Sequence, residues 1–227
     1  MRYPPLLLAL FGLLMLAPLL QASGVPLAGL AFVLTIYASM IYAFRQRRRL
    51  MLFLIICAAG AGLLRAAGEI FGRSDLLTSS QAVNCVAMSI VAGALLTEVL
   101  KARKASEDLV IGAVCLYLVL GLAWAFFYYW LHLLLPGTIL ISSSSDQGSN
   151  VQHERDFLEM LYFSLSSLST MGPLDAEKLT MTAKRLAVAE AIMGQLYLAV
   201  LISRLVGFST SGAPTPEAET DQADHPK

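Results

Sequence analysis

The chain has 227 residues, of which 57% are hydrophobic and 14% are charged, and its mean hydropathy is +0.67. This composition is too apolar for a soluble domain of this size, and it predicts an all-α protein that crosses a membrane several times. The formal net charge is zero, which argues against nucleic acid as a partner.

Six apolar runs are candidates for membrane-spanning helices, each of which needs roughly 20 mostly apolar residues. They cover residues 4–20, 25–44, 50–64, 82–100, 109–135 and about 186–208. The third run is short, and Arg65 at its end is placed to snorkel. The fifth ends in an aromatic cluster typical of a membrane–water interface (Trp124, Phe126, Phe127, Tyr128, Tyr129, Trp130). The first run, within residues 1–22, also fits a signal peptide, although its length favours a retained span.

Basic residues crowd two of the short connections between these runs (Arg45, Arg47, Arg48 and Arg49; Lys101, Arg103 and Lys104). The positive-inside rule places both connections in the cytoplasm, and with six spans both termini are cytoplasmic too. We therefore expect a multi-pass protein of the inner (plasma) membrane, and we interpret the arginines as a topology signal rather than a lipid or nucleic-acid site. Residues 142–150 are predicted to form a flexible outer loop, and residues 209–227 a disordered acidic tail.

Residues 156–170, DFLEMLYFSLSSLST, are too few to cross a membrane and too apolar for a water-exposed loop. This length predicts a re-entrant helix. Asp156 and Glu159 have the spacing of a capping box at its start. Non-helical backbone at membrane depth must be buried in protein or line a watery path, and the negative end of the helix favours a cation there.

This helix is followed by Ser169-Thr170-Met171-Gly172, then by Asp175 and by a span with a central Gly194. The ordered set resembles the pore domain of the potassium-channel superfamily. The flanking segments EDLVIGAVCLYLVLGLAWAFFYYW and RLAVAEAIMGQLYLAVLISRLVG are similar to small bacterial channels of that superfamily. The resemblance defines a pore domain at residues 105–208, whereas residues 1–104 agree only in their count of four spans.

The resemblance implies a homotetramer in the lipid bilayer, with no cofactor other than permeant K⁺ or Na⁺. In that family, the backbone carbonyl oxygens of four T-V-G-Y-G loops replace the water shell of the ion. Thr170, Met171 and Gly172 match the first three residues of such a loop. Pro173 and Leu174 replace its tyrosine and second glycine, and Asp175 matches the acid that follows.

The two replacements conflict with the backbone of such a filter. Leu174 at a left-handed position would cost roughly 1–2 kcal/mol per subunit. Pro173 restrains Gly172 and has no N–H with which to anchor the outer filter. The inner half, with the oxygens of Ser169, Thr170 and Met171, meets no such obstacle. We therefore expect a tetrameric channel for monovalent cations with weakened selectivity for K⁺ over Na⁺.

A second hypothesis is a non-conducting membrane protein that keeps the channel scaffold and acts as a partner or regulatory subunit. An enzyme is not expected, because no catalytic triad, carboxylate pair or metal-ligand cluster lies at membrane depth, and no small-molecule substrate is evident. The three cysteines lie in apolar runs and are predicted to be packing residues (Cys57, Cys85, Cys115). The fourth span has no arginine ladder, so steep voltage gating is not expected.

Glu190 lies within the sixth span, where an ionisable residue is a functional candidate. We favour the interpretation that it braces the filter from behind by bonding a hydroxyl of the pore helix, such as that of Ser166 or Tyr162. Gln195 is predicted to line the cavity, and Gly194 is either a hinge or a close-packing residue.

Helical spacing from Gln195 places Leu198, Ile202 and Val206 on one stripe, which is either a dewetting gate or an ordinary packing face. Asp175 forms either an outer acidic ring or a cap for the following loop.

Overall fold

The computed structural model describes residues 3–22, 28–102, 106–139, 150–172 and 179–210. Its helices are α1 Pro4–Ala22, α2 Ala28–Ala43, α3 Arg48–Phe71, α4 Ser74–Lys101, α5 Glu107–Leu134, α6 Asn150–Leu168 and α7 Met181–Thr210. Within the described residues, four helices are long and apolar enough to cross a membrane: α3, α4, α5 and α7. The helical membrane architecture is thus confirmed in its main part, while the count of six spans and the re-entrant position of α6 remain predictions.

Local sequence signals explain where several helices begin and end. α3 ends at Gly72, whose positive φ of 61° lets its N–H bond the carbonyl oxygen of Gly68. α5 begins after Ser106, whose side chain accepts a hydrogen bond from the backbone N–H of Leu109 at 3.2 Å. Acidic residues in the first turn of α5 favour the positive end of the helix dipole.

The third span is longer than its apolar run indicated. α3 continues through Arg65 to Phe71 and has 24 residues. Arg65 is therefore inside the helix and not at its end. Its guanidinium pairs with Glu69 one turn later at 3.0 Å, so the two charges offset each other on the helix surface.

The predicted start of the pore helix is wrong. α6 begins at Asn150, so Asp156 lies inside the helix and does not form a capping box with Glu159. The apolar pattern begins only near Asp156, and the earlier turns of α6 are polar, which hid them from a search for apolar runs. α7 likewise begins at Met181, before the predicted Leu186, because Lys184 and Arg185 interrupt the apolar pattern within its first two turns.

The aromatic cluster of α5 does more than mark an interface. Phe126 and Tyr128 are buried. The ring of Tyr128 meets that of Phe163 edge-on at 4.8 Å between centroids, and Phe126 lies 4.7 Å from Phe157. Because Phe157 and Phe163 belong to α6, the aromatic residues pack α5 against α6.

The centre of the bundle is formed by α4 and α5, with α1, α2 and α3 packed on one side and α6 and α7 on the other. Buried polar pairs join the N-terminal helices. The hydroxyl of Tyr37 donates to Oδ1 of Asn84 at 2.9 Å, and Ser80 Oγ donates to the carbonyl oxygen of Ala61 at 2.9 Å. Such bonds hold helices together where burial of apolar surface gives little drive for association.

Three helix ends meet at one end of the bundle. Arg47, which precedes α3, pairs with Glu98 near the end of α4 at 2.6 Å. Arg204 near the end of α7 donates to the backbone carbonyl oxygens of Val99 and Ala102 at 2.6 and 3.0 Å. The basic loop and the ends of α4 and α7 thus share one side, as the topology prediction requires. Which face of the membrane this is remains a prediction.

Several sequence predictions concern residues outside those the structure describes. They are the outer filter positions Pro173, Leu174 and Asp175, the basic residues Arg103 and Lys104, the loop at 140–149 and the tail at 211–227.

Candidate functional site

The turn that follows α6 is the candidate ion-binding segment, and three of its residues are exposed in the single protomer. Ser169, Thr170 and Met171 lie at the surface, with 78% of Met171 exposed. Thr170 and Gly172 have positive φ values of 60° and 77°. A threonine in this left-handed region is uncommon and costs about 1–3 kcal/mol, so the surrounding contacts must hold it there.

Backbone hydrogen bonds fix this turn to the end of α6. The N–H groups of Thr170 and Gly172 donate to the carbonyl oxygens of Ser167 and Ser166, both at 3.0 Å. The carbonyl oxygen of Leu168 accepts from the hydroxyl of Tyr117 on α5, also at 3.0 Å. The carbonyl groups that a helix leaves unpaired at its C-terminus are therefore already engaged. Part of the negative potential expected there for a cation is offset by these donors.

α7 touches the same turn through two neighbouring residues. A Cβ atom added at Gly194 would lie 2.5 Å from the carbonyl oxygen of Leu168. Nε2 of Gln195 lies 3.4 Å from Oγ1 of Thr170, at hydrogen-bond distance. Gly194 thus allows the backbone of α7 to approach the end of α6. Of the two roles that the sequence left open for Gly194, hinge and close-packing residue, this contact supports close packing. Its role as a hinge stays a prediction.

Glu190 is fully buried between three helices. Its Oε2 accepts a hydrogen bond from the hydroxyl of Tyr128 on α5 at 2.7 Å, and its Oε1 lies 2.5 Å from Oγ of Ser164 on α6. We call Tyr128, Ser164 and Glu190 the carboxyl network. It joins α5, α6 and α7 at one point close to the turn.

The position of Ser164 constrains the hydrogens of this network. Its Oγ also lies 2.7 Å from the carbonyl oxygen of Gly121. A hydroxyl has one hydrogen and can donate it to only one of these two acceptors. When Ser164 donates to Gly121, the hydrogen between Ser164 and Glu190 must come from the carboxyl group, as in a neutral acid.

Glu190 does bond a hydroxyl of α6, as predicted, but that of Ser164 and not that of Ser166 or Tyr162. The hydroxyl of Ser166 donates to the carbonyl oxygen of Phe163 at 2.9 Å, and 48% of Tyr162 is exposed. The sequence offered several serines on α6, and nothing in it set the rotation of α6 about its axis. Tyr128 was assigned to the interface cluster and was missed as a partner.

The stripe that was predicted to be either a gate or a packing face divides between two environments. Leu198 is half-buried and packs against the main core, whereas Ile202 and Val206 are 60% and 56% exposed. Further large apolar residues of α7 are exposed along its length: Val188, Ile192, Met193, Leu196 and Val200. α7 therefore presents a long apolar surface that the described part of the protomer leaves exposed.

The C-terminal part of the bundle matches a known family. Residues 115–211, from within α5 to the end of α7, match the family model described as ion channel. The match confirms the resemblance to the pore domain of the potassium-channel superfamily over this segment. Helices α1–α4 precede the matched range. No curated protein and no solved structure matches the chain.

The carboxyl network predicts opposite results for two substitutions at Glu190. Glu190→Gln keeps an acceptor for Tyr128 and supplies an N–H for Ser164, so we expect near-native thermal stability in detergent. Glu190→Leu removes the acceptor of the buried Tyr128 hydroxyl and should cost about 1–3 kcal/mol, whereas Ser164 can still donate to the carbonyl oxygen of Gly121. Equal losses in the two variants, measured by thermal unfolding, would show that the hydrogen bonds do not matter.

The close approach of Gly194 predicts that Gly194→Ala destabilises the protein. Relieving the 2.5 Å contact requires α7 to move away from α6, at a cost of about 1–3 kcal/mol. Gly207→Ala is a matched control on the same helix, because nothing lies within 4 Å of the added Cβ. Thermal unfolding should separate the two variants, and unchanged stability in Gly194→Ala would leave the hinge as the better account of this glycine.

Proposed function

We propose that this protein is a homotetrameric channel for monovalent cations, which conducts K⁺ and Na⁺ with weakened preference for K⁺. The observation that carries the proposal is the turn Thr170–Gly172. It follows a helix too polar at its start and too short in its apolar part to be an ordinary span, within a segment of the ion channel family. The proposed location is the inner membrane, with both termini and the basic loop in the cytoplasm.

The proposed assembly into a tetramer follows from the fact that one protomer cannot form a central pore alone. A single chain supplies one pore helix and one turn, and a pathway on an axis needs several copies related by closed symmetry. The uncovered apolar surface of α7 supports this assembly, since packing against other subunits would remove part of it from lipid or water. Four copies would bring four Thr170 residues around one axis.

The ion path that we propose uses backbone and hydroxyl oxygens near the axis. The described part of the turn carries the oxygens of Ser169, Thr170 and Met171, and positive φ at Thr170 and Gly172 alternates with the backbone between them. Alternation of this kind brings successive carbonyl groups toward the same side. The carboxyl network and the bond from Tyr117 to Leu168 hold this segment from behind, so that it keeps its shape when an ion replaces water.

Weak selectivity follows from the residues after Gly172. Proline at position 173 and leucine at 174 are poorly suited to continue a chain of alternating backbone conformations. With fewer consecutive carbonyl sites, fewer water molecules of the ion are replaced by protein oxygens. The filter then discriminates less between K⁺ and Na⁺. Selectivity in such filters depends on the number and field of coordinating oxygens or on the cavity size they define.

The first test is the assembly state. We expect the purified protein in nanodiscs to have four times the 24.5 kDa mass of the chain, as measured by native mass spectrometry. Leu196→Ala, which trims an exposed residue of α7, should lower the fraction of tetramer. Leu63→Ala removes the same atoms from an exposed residue of α3 and should not. A monomer or dimer as the largest species would contradict both the assembly and the pore.

The second test is the reversal potential across a planar bilayer with unequal K⁺ and Na⁺ on the two sides. The parent should conduct with a small preference for K⁺. Pro173→Tyr with Leu174→Gly restores an N–H and a residue that tolerates positive φ, so we expect a stronger preference for K⁺. Leu174→Gly alone should do less, because Pro173 still restrains Gly172.

Three results would overturn parts of this proposal. A parent already strongly selective for K⁺ would mean that the outer filter residues do not limit selectivity. A conducting parent unaffected by the double substitution would place the selective step elsewhere. If neither protein conducts although both are tetrameric, the chain is a channel-like scaffold with a partner or regulatory role.

A further inference from the structure

A cleft at the start of α3 is lined by three arginines and by three apolar residues. It has a volume of about 530 Å³ and is lined by Arg47, Arg48, Arg49, Leu50, Phe53 and Ala94. None of these described lining residues is acidic. The cleft lies between the beginning of α3 and the last turns of α4, outside the segment that matches the ion channel family.

The positive charge in this cleft is only partly neutralised by the protein. Arg47 is paired with Glu98. Arg48 and Arg49 are exposed, and no ion pair engages either of them within the described part of the chain. These two charges belong to the first turn of α3, where the helix dipole is already positive and cations are unfavourable. The side chain of Arg47 does not cap the helix, so a bound anion would relieve both effects.

The shape of the cleft indicates what kind of anion fits. Below the arginines, Leu50, Phe53 and Ala94 offer a mostly apolar wall, and from Leu50 onward α3 is apolar enough to lie in a membrane. The cleft thus places charged side chains next to an apolar surface. A phospholipid has the same arrangement, because its charged phosphate is joined to apolar acyl chains. A free phosphate ion would use the arginines but not the wall.

We propose that this cleft binds an anionic phospholipid of the cytoplasmic leaflet, with the phosphate at Arg48 and Arg49 and the upper acyl chain against Leu50 and Phe53. The arginines act both as a topology signal and as a lipid site, because anionic lipids of that leaflet attract basic residues near the membrane surface. The proposal does not depend on ion conduction, since the site lies on α3 and α4.

The test is native mass spectrometry of the full-length protein in detergent, titrated with phosphatidylglycerol or phosphatidylcholine. The parent should bind phosphatidylglycerol more tightly. Arg48→Gln with Arg49→Gln should weaken that binding about 30-fold, since each basic residue near the surface contributes roughly a factor of five. Lys184→Gln with Arg185→Gln is the charge-matched control, because both residues are exposed at the other end of the bundle, and it should leave the affinity unchanged.

The outcomes that overturn the proposal are distinct. Equal binding of the two lipids by the parent would exclude a site for anionic lipid even if the variants fail to fold. Equal weakening in both double variants would mean a general effect of charge. Displacement of phosphatidylglycerol by excess inorganic phosphate would show that the cleft takes a free anion and that the apolar wall is not used.

Discussion

A helix that enters a membrane without crossing it must find partners for the polar groups at its inner end, because lipid supplies none. The pore domain proposed here depends on how α6 meets this constraint. Tyr117 bonds the carbonyl oxygen of Leu168, the backbone of the following turn folds back onto Ser166 and Ser167, and Glu190 bonds Ser164 from α7. The hydrogen bonds that satisfy the polar groups at the end of α6 also fix the conformation of the turn that follows it. The same contacts therefore allow α6 to be buried and give the candidate site its shape.

Glu190 illustrates why a costly buried carboxyl group can be retained. An ionised carboxylate without partners would be strongly unfavourable at this depth. Here two hydroxyl groups from two other helices surround it, and they are correctly placed only when α5, α6 and α7 have their observed rotations. We infer that the network disfavours other packings of the three helices, which is the specifying role that buried polar groups have in some proteins.

What the sequence predicted was determined by local pattern and length. Apolar runs located α3, α4, α5 and α7, and the break in apolarity after α5 located α6. Its start was missed because the turns from Asn150 carry no apolar signal. The partners of Glu190 were missed for a different reason. To predict that Glu190 bonds Ser164 and not Ser166, one must know how α6 is rotated about its axis relative to α7. That rotation depends on side-chain packing, such as that of Phe163 on Tyr128, and not on any local pattern.

The last turn of α4 connects the N-terminal helices to the end of α7, which carries Ile202 and Val206. Glu98 holds Arg47 of the basic loop, and the next turn of backbone, at Val99 and Ala102, accepts both hydrogen bonds of Arg204 from α7. Arg204 lies between Ile202 and Val206, so these bonds position the exposed stripe. Outward movement of α7 at this end would break two charge-assisted hydrogen bonds, each worth about 1.5–3 kcal/mol, unless α4 moved with it. A shift of the end of α4 would therefore have to break these two bonds or carry the end of α7 with it.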